Sequence, residues 1–340
     1  TDDVVQIRSR WVVAADGAGS RVRRAADIEM IGPPSLQHFV AVHLGISLRP
    51  LLGDRTGVLH FVLDPAAAGV FVAHDLDREA VFMCSYDPDE ESVDDYDAER
   101  CTGLVRRALG PGGDAVPIEV LGVGTWNMSA QVAERMRAGR TFLAGDAAHR
   151  FPPTGGLGLN TGVADAHGLA WRFAAIEHGW AGDGLLDSYE AERRPVAQVN
   201  CEQSATNAFK MVLLSDALGL LEAPTTEQLD ARLADPDRRS AIDEAVAEQQ
   251  THFDMLGLQL GYVYADGALR REGEPPRPID DPSRFDPTAG AGARLPHGWS
   301  DDGRSTLDFV APDAFTLFTS SDHDAWAAAT DASRVPIRHV

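Results

Sequence analysis

The sequence predicts an α/β fold with a second, antiparallel sheet set into it. Three observations carry that expectation. Two apolar runs, Trp11 to Ala15 and the "TFLA" of Arg140 to Asp146, are continuous rather than alternating, as suits strands buried on both faces. Each run ends in an acid beside a glycine, Asp16-Gly17 and Gly145-Asp146. Between them, from His38 to Tyr86, short β-rich stretches alternate with turn residues at the spacing of an antiparallel meander.

The elements follow in chain order. "DGAGSRVRR" turns out of the first strand into a basic helix start, and "HFVAVHLGISL", "GVLHFVL", "GVFVAHDL" and "EAVFMCSY" supply the meander. The acidic stretch Asp87 to Asp97 reads as a solvated connection, followed by a helix over Glu99 to Leu109 and a strand over Ile118 to Trp126. After the second buried strand, Pro152 and Pro153 stiffen the chain before a glycine-rich turn. Gly162, Ala166, Leu169, Phe173 and Ile176 then recur at spacings of four and three, one face of a helix. A long helix follows, with Leu185, Tyr189, Val196 and Val199 inward and a bend expected at Pro195. Helix continues through Glu227 to Gln250, "LGLQLGYVYAD" reads as a strand, and Glu274 to Pro287 as an extended linker. The last stretch begins a β-α unit that the sequence reading leaves incomplete.

Composition narrows the function. The chain has 340 residues, 44% of them hydrophobic, which is enough for two ordinary cores. Its 52 acidic against 30 basic residues give a net charge of -22, which repels nucleic acid and anionic membrane surfaces. Cys84, Cys101 and Cys201 are scattered and odd in number, so neither a disulfide framework nor a zinc-ribbon spacing is signalled, and a reducing cytoplasm fits. No apolar run approaches the roughly 18 residues of a membrane span.

Strand ends of open α/β sheets are where ligands bind. An Asp there accepts hydrogen bonds from polyol hydroxyls, and Gly145 lets a backbone approach closely. The glycine-rich turn bares amides at a helix N-terminus, which favours negative charge on a bound group. His149 serves either as a base or as a loop hydrogen bonder. Glu190 with Arg193 or Arg194 reads as a helical ion pair. Trp126, Trp171 and Trp299 read as packing residues. His43, Phe61, Phe71, His74 and Met83 are candidates for lining a pocket, although alternation alone does not say which face looks inward.

"DGAGSRVRR", "GRTFLAGDAAHRFPPTGGLGLNTGVADAHGLAWRF" and "LLDSYEAERRPVA" together resemble the single-component (class A) FAD-dependent aromatic monooxygenases, which include p-hydroxybenzoate and phenol hydroxylases. "THFDMLGLQLGYVYADG" and "AGARLPHGW" resemble the phenol and aromatic polyketide hydroxylase branch. The resemblance implies a Rossmann-like FAD/NAD(P)-binding fold with an antiparallel substrate sheet. It divides the chain into 1–32 and 127–273 for the FAD-binding domain, 33–126 for the sheet, and 274–340 for a linker and the start of a thioredoxin-like region. The family's opening βαβ with its G-x-G-x-x-G turn has no match here, so the expectation is that this stretch alone holds FAD poorly.

Residue by residue, Asp16 and Gly17 match the motif near the FAD pyrophosphate and the NAD(P)H path, with Arg21 and Arg24 as partners for the phosphates of the nicotinamide cofactor. Gly145 and Asp146 match the strand end that grips the ribityl chain. Pro153, Gly155, Gly156, Gly158, Leu159 and Asn160 match the segment against the isoalloxazine ring, and among these Pro153, Gly156 and Leu159 are the catalytic candidates. His43, Phe61, Phe71 and Met83 are the substrate candidates. The implied reaction takes a small aromatic substrate, O2 and NAD(P)H through a C4a-hydroperoxyflavin. It involves no metal, nucleic acid or membrane, and a homodimer stays open as the assembly. Another flavin oxidoreductase or an epoxidase on the same fold, or a non-catalytic fragment, are the alternatives.

Overall fold

In the computed structural model, which describes residues 5–220, 222, 225–270, 277 and 279–340, the first apolar run forms β1 (Val12–Ala14), where Ala14 is buried but Val12 and Val13 are exposed, so the strand is not buried on both faces as the run predicts; α1 (Arg21–Ala25) and β2 (Met30–Ile31) follow. The antiparallel sheet comprises β3 (Gln37–Gly45), β4 (Leu59–Val62), β5 (Gly69–Asp75), β6 (Glu79–Ser85) and β7 (Glu119–Met128), in the order β4-β5-β6-β3-β7. α2 (Arg49–Leu52) is a single turn, and α3 (Ala98–Leu109) is capped by the Asp97 carboxylate. α3 lies on one face of the sheet, where Val40, Val42, Leu44, Phe71, Ala80 and Phe82 pack with Cys101 and Val105.

The chain returns through β8 (Gln131–Ala133), β9 (Arg137–Ala138), β10 (Thr141–Leu143) and β11 (His149–Arg150). β10 pairs parallel with β1, Ala14 opposite Leu143, so the two strand ends lie side by side. β9 pairs antiparallel on its other edge, and β2, β8 and β11 form a small antiparallel sheet beside them. α4 (Leu157–Glu177) and α5 (Asp187–Leu218) cover this layer. The core between them holds Phe142, Leu143, Ala147, Leu169 and Tyr189. α5 is continuous through Pro195. α6 (Thr226–Leu233), α7 (Pro236–Ala247) and α8 (Leu256–Gly261) follow. β12 (Phe315–Leu317), α9 (His323–Asp331) and β13 (Ile337–His339) close the chain.

Several expectations change. "LGLQLG" is helix, not strand, because Leu258 turns into a small core with Leu157 and Met255. The terminal β-α unit is completed, since β13 pairs parallel with β12. Val199 is 45% exposed, and Ala166 is exposed too. The buried face of α4 instead carries Thr161, Asp165 and Arg172, charges whose burial depends on partners from α5. Trp171 meets Phe315, and Trp126 stacks on Phe39 at 4.6 Å, but Trp299 is exposed. Within the expected linker, residues 274–276 and 278 lie outside the described residues.

Candidate functional site

Asp16 leaves β1 and turns its carboxylate back on the chain, accepting from the Ser20 hydroxyl and from the amides of Arg21 at 2.8 Å and Val22 at 3.2 Å. Ser20 in turn caps Arg23. The Ser20 hydroxyl, with the amides behind it, holds the Asp16 carboxyl below the usual carboxylate range. Gly17 takes a φ of 79°, which this tight corner needs and other residues resist. Arg21 and Arg24 stand exposed on α1, and among the described residues neither guanidinium has a hydrogen-bond or ion-pair partner.

Arg23, which the sequence reading passed over, joins the two corners. Its buried guanidinium donates to the Ala18 carbonyl at 3.3 Å and to the Ala147 carbonyl at 3.4 Å, one from each strand end. Arg150 lies close to it and donates to Gln131. Burial and the neighbouring Arg23 charge lower its affinity for its proton, with Asp146 opposing. Two partly buried guanidiniums thus sit beside the paired strand ends. Asp146 itself is exposed, and among the described residues its carboxylate bonds no donor.

The glycine-rich turn sits against this corner. Gly155 (φ 111°) and Gly156 (φ 64°) swing the chain into α4. A Cβ on Gly155 would lie 2.6 Å from Met255 Cε. α4 begins with no side-chain cap and no acid in its first turn, so its leading amides are open, with Leu159 81% exposed beside them. Gly162 packs on the turn after β10: a Cβ there would come within 3.1 Å of Gly145 Cα.

Behind the turn a buried hub fixes its position. Asp165 accepts from His149 Nε2 at 2.7 Å, Gly145 N at 3.2 Å and Arg193 Nε at 2.9 Å, with all three side chains at most 1% exposed. His149 therefore bonds a carboxylate, not the loop backbone, and stacks on Phe151 at 4.7 Å. Burial works against the Arg193 charge, yet Asp165 outweighs it and strengthens the guanidinium's hold on its proton. The expected Glu190 ion pair does not form: Glu190 accepts from the amides of Met136 and Arg137, while Arg194 donates to the Ala133 carbonyl. Arg172 is fully buried with Glu192 and Ser188.

The sheet candidates divide between faces, because residues directly opposite share a side. Phe61, Val70, Met83, Ala41 and Gly124 form one cross-strand row on the face away from α3. His43 lies on that face too, farther along, held by Glu79. A Cβ built on Gly122 or Gly124 meets nothing, so the floor over β7 is open. Phe71 is corrected: it points into the α3 core against Phe82 and is 3% exposed.

Comparison with known proteins accords with this geometry. Residues 1–204 match the family described as FAD binding domain. The chain is 35% identical over 327 residues to a tetracenomycin B2 monooxygenase-dioxygenase of Streptomyces olivaceus, covering 95% of this chain and 54% of that protein. It is 30% identical over 347 residues to a 2,4-dichlorophenol 6-monooxygenase of Cupriavidus pinatubonensis, covering 96% of this chain and 57% of that one. The solved structure of the flavin-dependent monooxygenase PieE, in complex with FAD and substrate, superposes with a TM-score of 0.87 at 31% identity, over 98% of this chain and 61% of that one. The chain thus spans little more than half the length of these relatives. No helix among the described residues is long and apolar enough to cross a membrane.

Proposed function

The chain belongs to the class A FAD-dependent aromatic monooxygenases, and from that premise we propose that it serves the hydroxylation of a phenolic or polycyclic aromatic compound, with NAD(P)H as reductant and O2 as oxygen source. The residues present fit the cofactor of the family, FAD. Asp146 offers a carboxylate free of donors among the described residues, the leading amides of α4 are uncapped, and the Gly145–Gly162 contact brings strand end and helix start together.

Bound FAD supplies storage of two electrons from the reductant and activation of O2 for transfer of one oxygen atom to the ring. The protein's own groups do the rest. Asp146 accepts hydrogen bonds from polyol hydroxyls, and Arg23 and Arg150 favour the negative charge of a pyrophosphate. Gly155, Gly156, Gly158, Leu159 and Asn160, following Pro153, present the α4 amides to the ring edge, where the helix dipole stabilises developing negative charge. Arg21 and Arg24 draw the phosphates of the nicotinamide cofactor. The open row of Phe61, Val70, Met83 and Ala41 gives a flat apolar floor for the substrate and keeps water from the reacting atoms.

The single observation that carries this reading is the meeting of three features at one corner: the paired ends of β1 and β10, the bridge of Arg23 between them, and the uncapped start of α4. The test is turnover by the full-length protein under labelled O2. Stimulation of NAD(P)H oxidation by a phenolic or polycyclic aromatic compound, with label in a ring hydroxyl, supports it. Label in an epoxide, or NAD(P)H oxidation with no labelled product, replaces it with other flavin chemistry.

A further inference from the structure

We propose that His43, His74 and Glu79 form a binding site for a late first-row divalent cation, zinc foremost, that staples the five-stranded sheet at its far end. The three residues come from β3, β5 and β6, which are adjacent in the sheet. All three point to the face away from α3, since their neighbours Leu44, Ala73 and Ala80 fill the core on the other side. Two register shifts, between His43 and Leu44 and between Ala73 and Asp75, re-aim the rings toward one another at this end of the sheet.

The donor atoms converge on a point. His43 Nε2 lies 2.7 Å and His74 Nδ1 3.4 Å from the same oxygen, Glu79 Oε1. All three donor atoms lie within 4.8 Å of one another. In a tetrahedral site with bonds of about 2.0–2.1 Å, donors stand about 3.3 Å apart, so sub-ångström to ångström side-chain adjustments seat an ion. Two neutral imidazoles and one carboxylate suit zinc, cobalt(II) or nickel(II) better than the oxygen-seeking calcium or magnesium, and leave a fourth position for water. The side chains are 42% to 53% exposed, so an ion enters directly from solvent. The net charge of -22 favours its approach.

The site lies at the opposite end of β3 from the Leu36–Met128 hydrogen bond, where the sheet joins the α/β layer. An ion there ties three strands together by bonds from three side chains, where the metal-free arrangement has only two hydrogen bonds to one carboxylate oxygen. Its role is therefore to hold the shape of the sheet.

The experiment uses tag-free, full-length protein stripped by chelator and titrated with zinc sulfate against a chromophoric competitor. Expected is one zinc per chain, an affinity at least tenfold weaker in His43→Ala and in His74→Ala, and a thermal midpoint raised by zinc in the parent only. Cobalt(II) should give visible ligand-field bands that His43→Ala abolishes. Glu79→Gln, with an exposed and nearly isosteric side chain, guards against loss of fold and should also weaken binding at least tenfold. Zinc held equally by the parent and a His43→Ala/His74→Ala variant overturns the proposal. So does a parent protein that takes up no stoichiometric zinc, or whose midpoint is unmoved by it.

Discussion

Replacing Asp165 by Asn tests whether the buried hub, more than local sequence, holds the glycine-rich turn in place. The carboxylate takes three hydrogen bonds, from Arg193, His149 and Gly145. An amide retains one acceptor oxygen but presents its NH2 to groups that are themselves donors. Among the described residues the Arg193 guanidinium, 1% exposed, then keeps the Thr161 carbonyl and the Tyr264 hydroxyl. Breaking one side of a buried ion pair costs about 3–5 kcal/mol. One further lost bond to a charged acceptor adds about 1.5 kcal/mol. Because such terms overlap, the expected loss is about 4–6 kcal/mol, a large share of the stability of an ordinary domain. Urea unfolding followed by circular dichroism should show the midpoint falling by about 1.3–2 M, taking a slope near 3 kcal/mol/M. The double variant Asp165→Asn/Arg193→Met should recover at least about 2 kcal/mol, since removing both charges is far cheaper than orphaning one. A loss below about 1 kcal/mol, or strictly additive single variants, would refute the reasoning.

Other expectations are narrower. Asp146→Ala should leave the urea midpoint unchanged, because the carboxylate has no donor among the described residues, while weakening FAD retention by about 1–3 kcal/mol in equilibrium dialysis; unchanged retention would remove Asp146 from the cofactor site. Gly162→Ala places a methyl 3.1 Å from Gly145 Cα and should cost about 1–3 kcal/mol of stability together with flavin retention, read by thermal melts and flavin fluorescence. Burial pushes the Cys201 thiol up to about 11 and the Tyr264 hydroxyl up to about 12. The folded chain keeps those protons after the unfolded chain has released them, so their contribution is complete below about pH 8.5 and is lost as pH rises through about 11 for Cys201 and about 12 for Tyr264. Urea midpoints at pH 8, 9.5 and 10.5 should fall in that order, and a flat series contradicts the burial argument.

Much of this was legible in the sequence where the signal is local. Continuous apolarity located β1 and β10 and the acid–glycine pairs marked their ends, yet only β10 is buried as such a run predicts, since Val12 and Val13 of β1 are 42% and 45% exposed. The turn from Pro152 to Gly156 announced itself through residues that only unusual backbone requires. What local pattern could not provide was any feature fixed by a distant partner. Asp165, Arg172 and Arg193 look like ordinary helix-surface charges until α4 and α5 are brought together. Arg23 differs from Arg21 and Arg24 only in lying on the side of α1 that faces Ala147. Phe71 and Met83 sit an odd number of residues apart within the pairing register, so they occupy opposite faces, and only α3 decides which face is core. His149, three residues before the prolines, carried one usable hint: an Asp sixteen positions on, in the first half of α4.

The contact between Gly145 and Gly162 has an evolutionary consequence. With no side chain between strand end and helix, Asp146 and the leading amides of α4 are set into a single block, and neither can drift without dragging the other. On the proposed function, a change of substrate falls to the five-stranded sheet, whose open glycines and apolar row can be recut without disturbing that block.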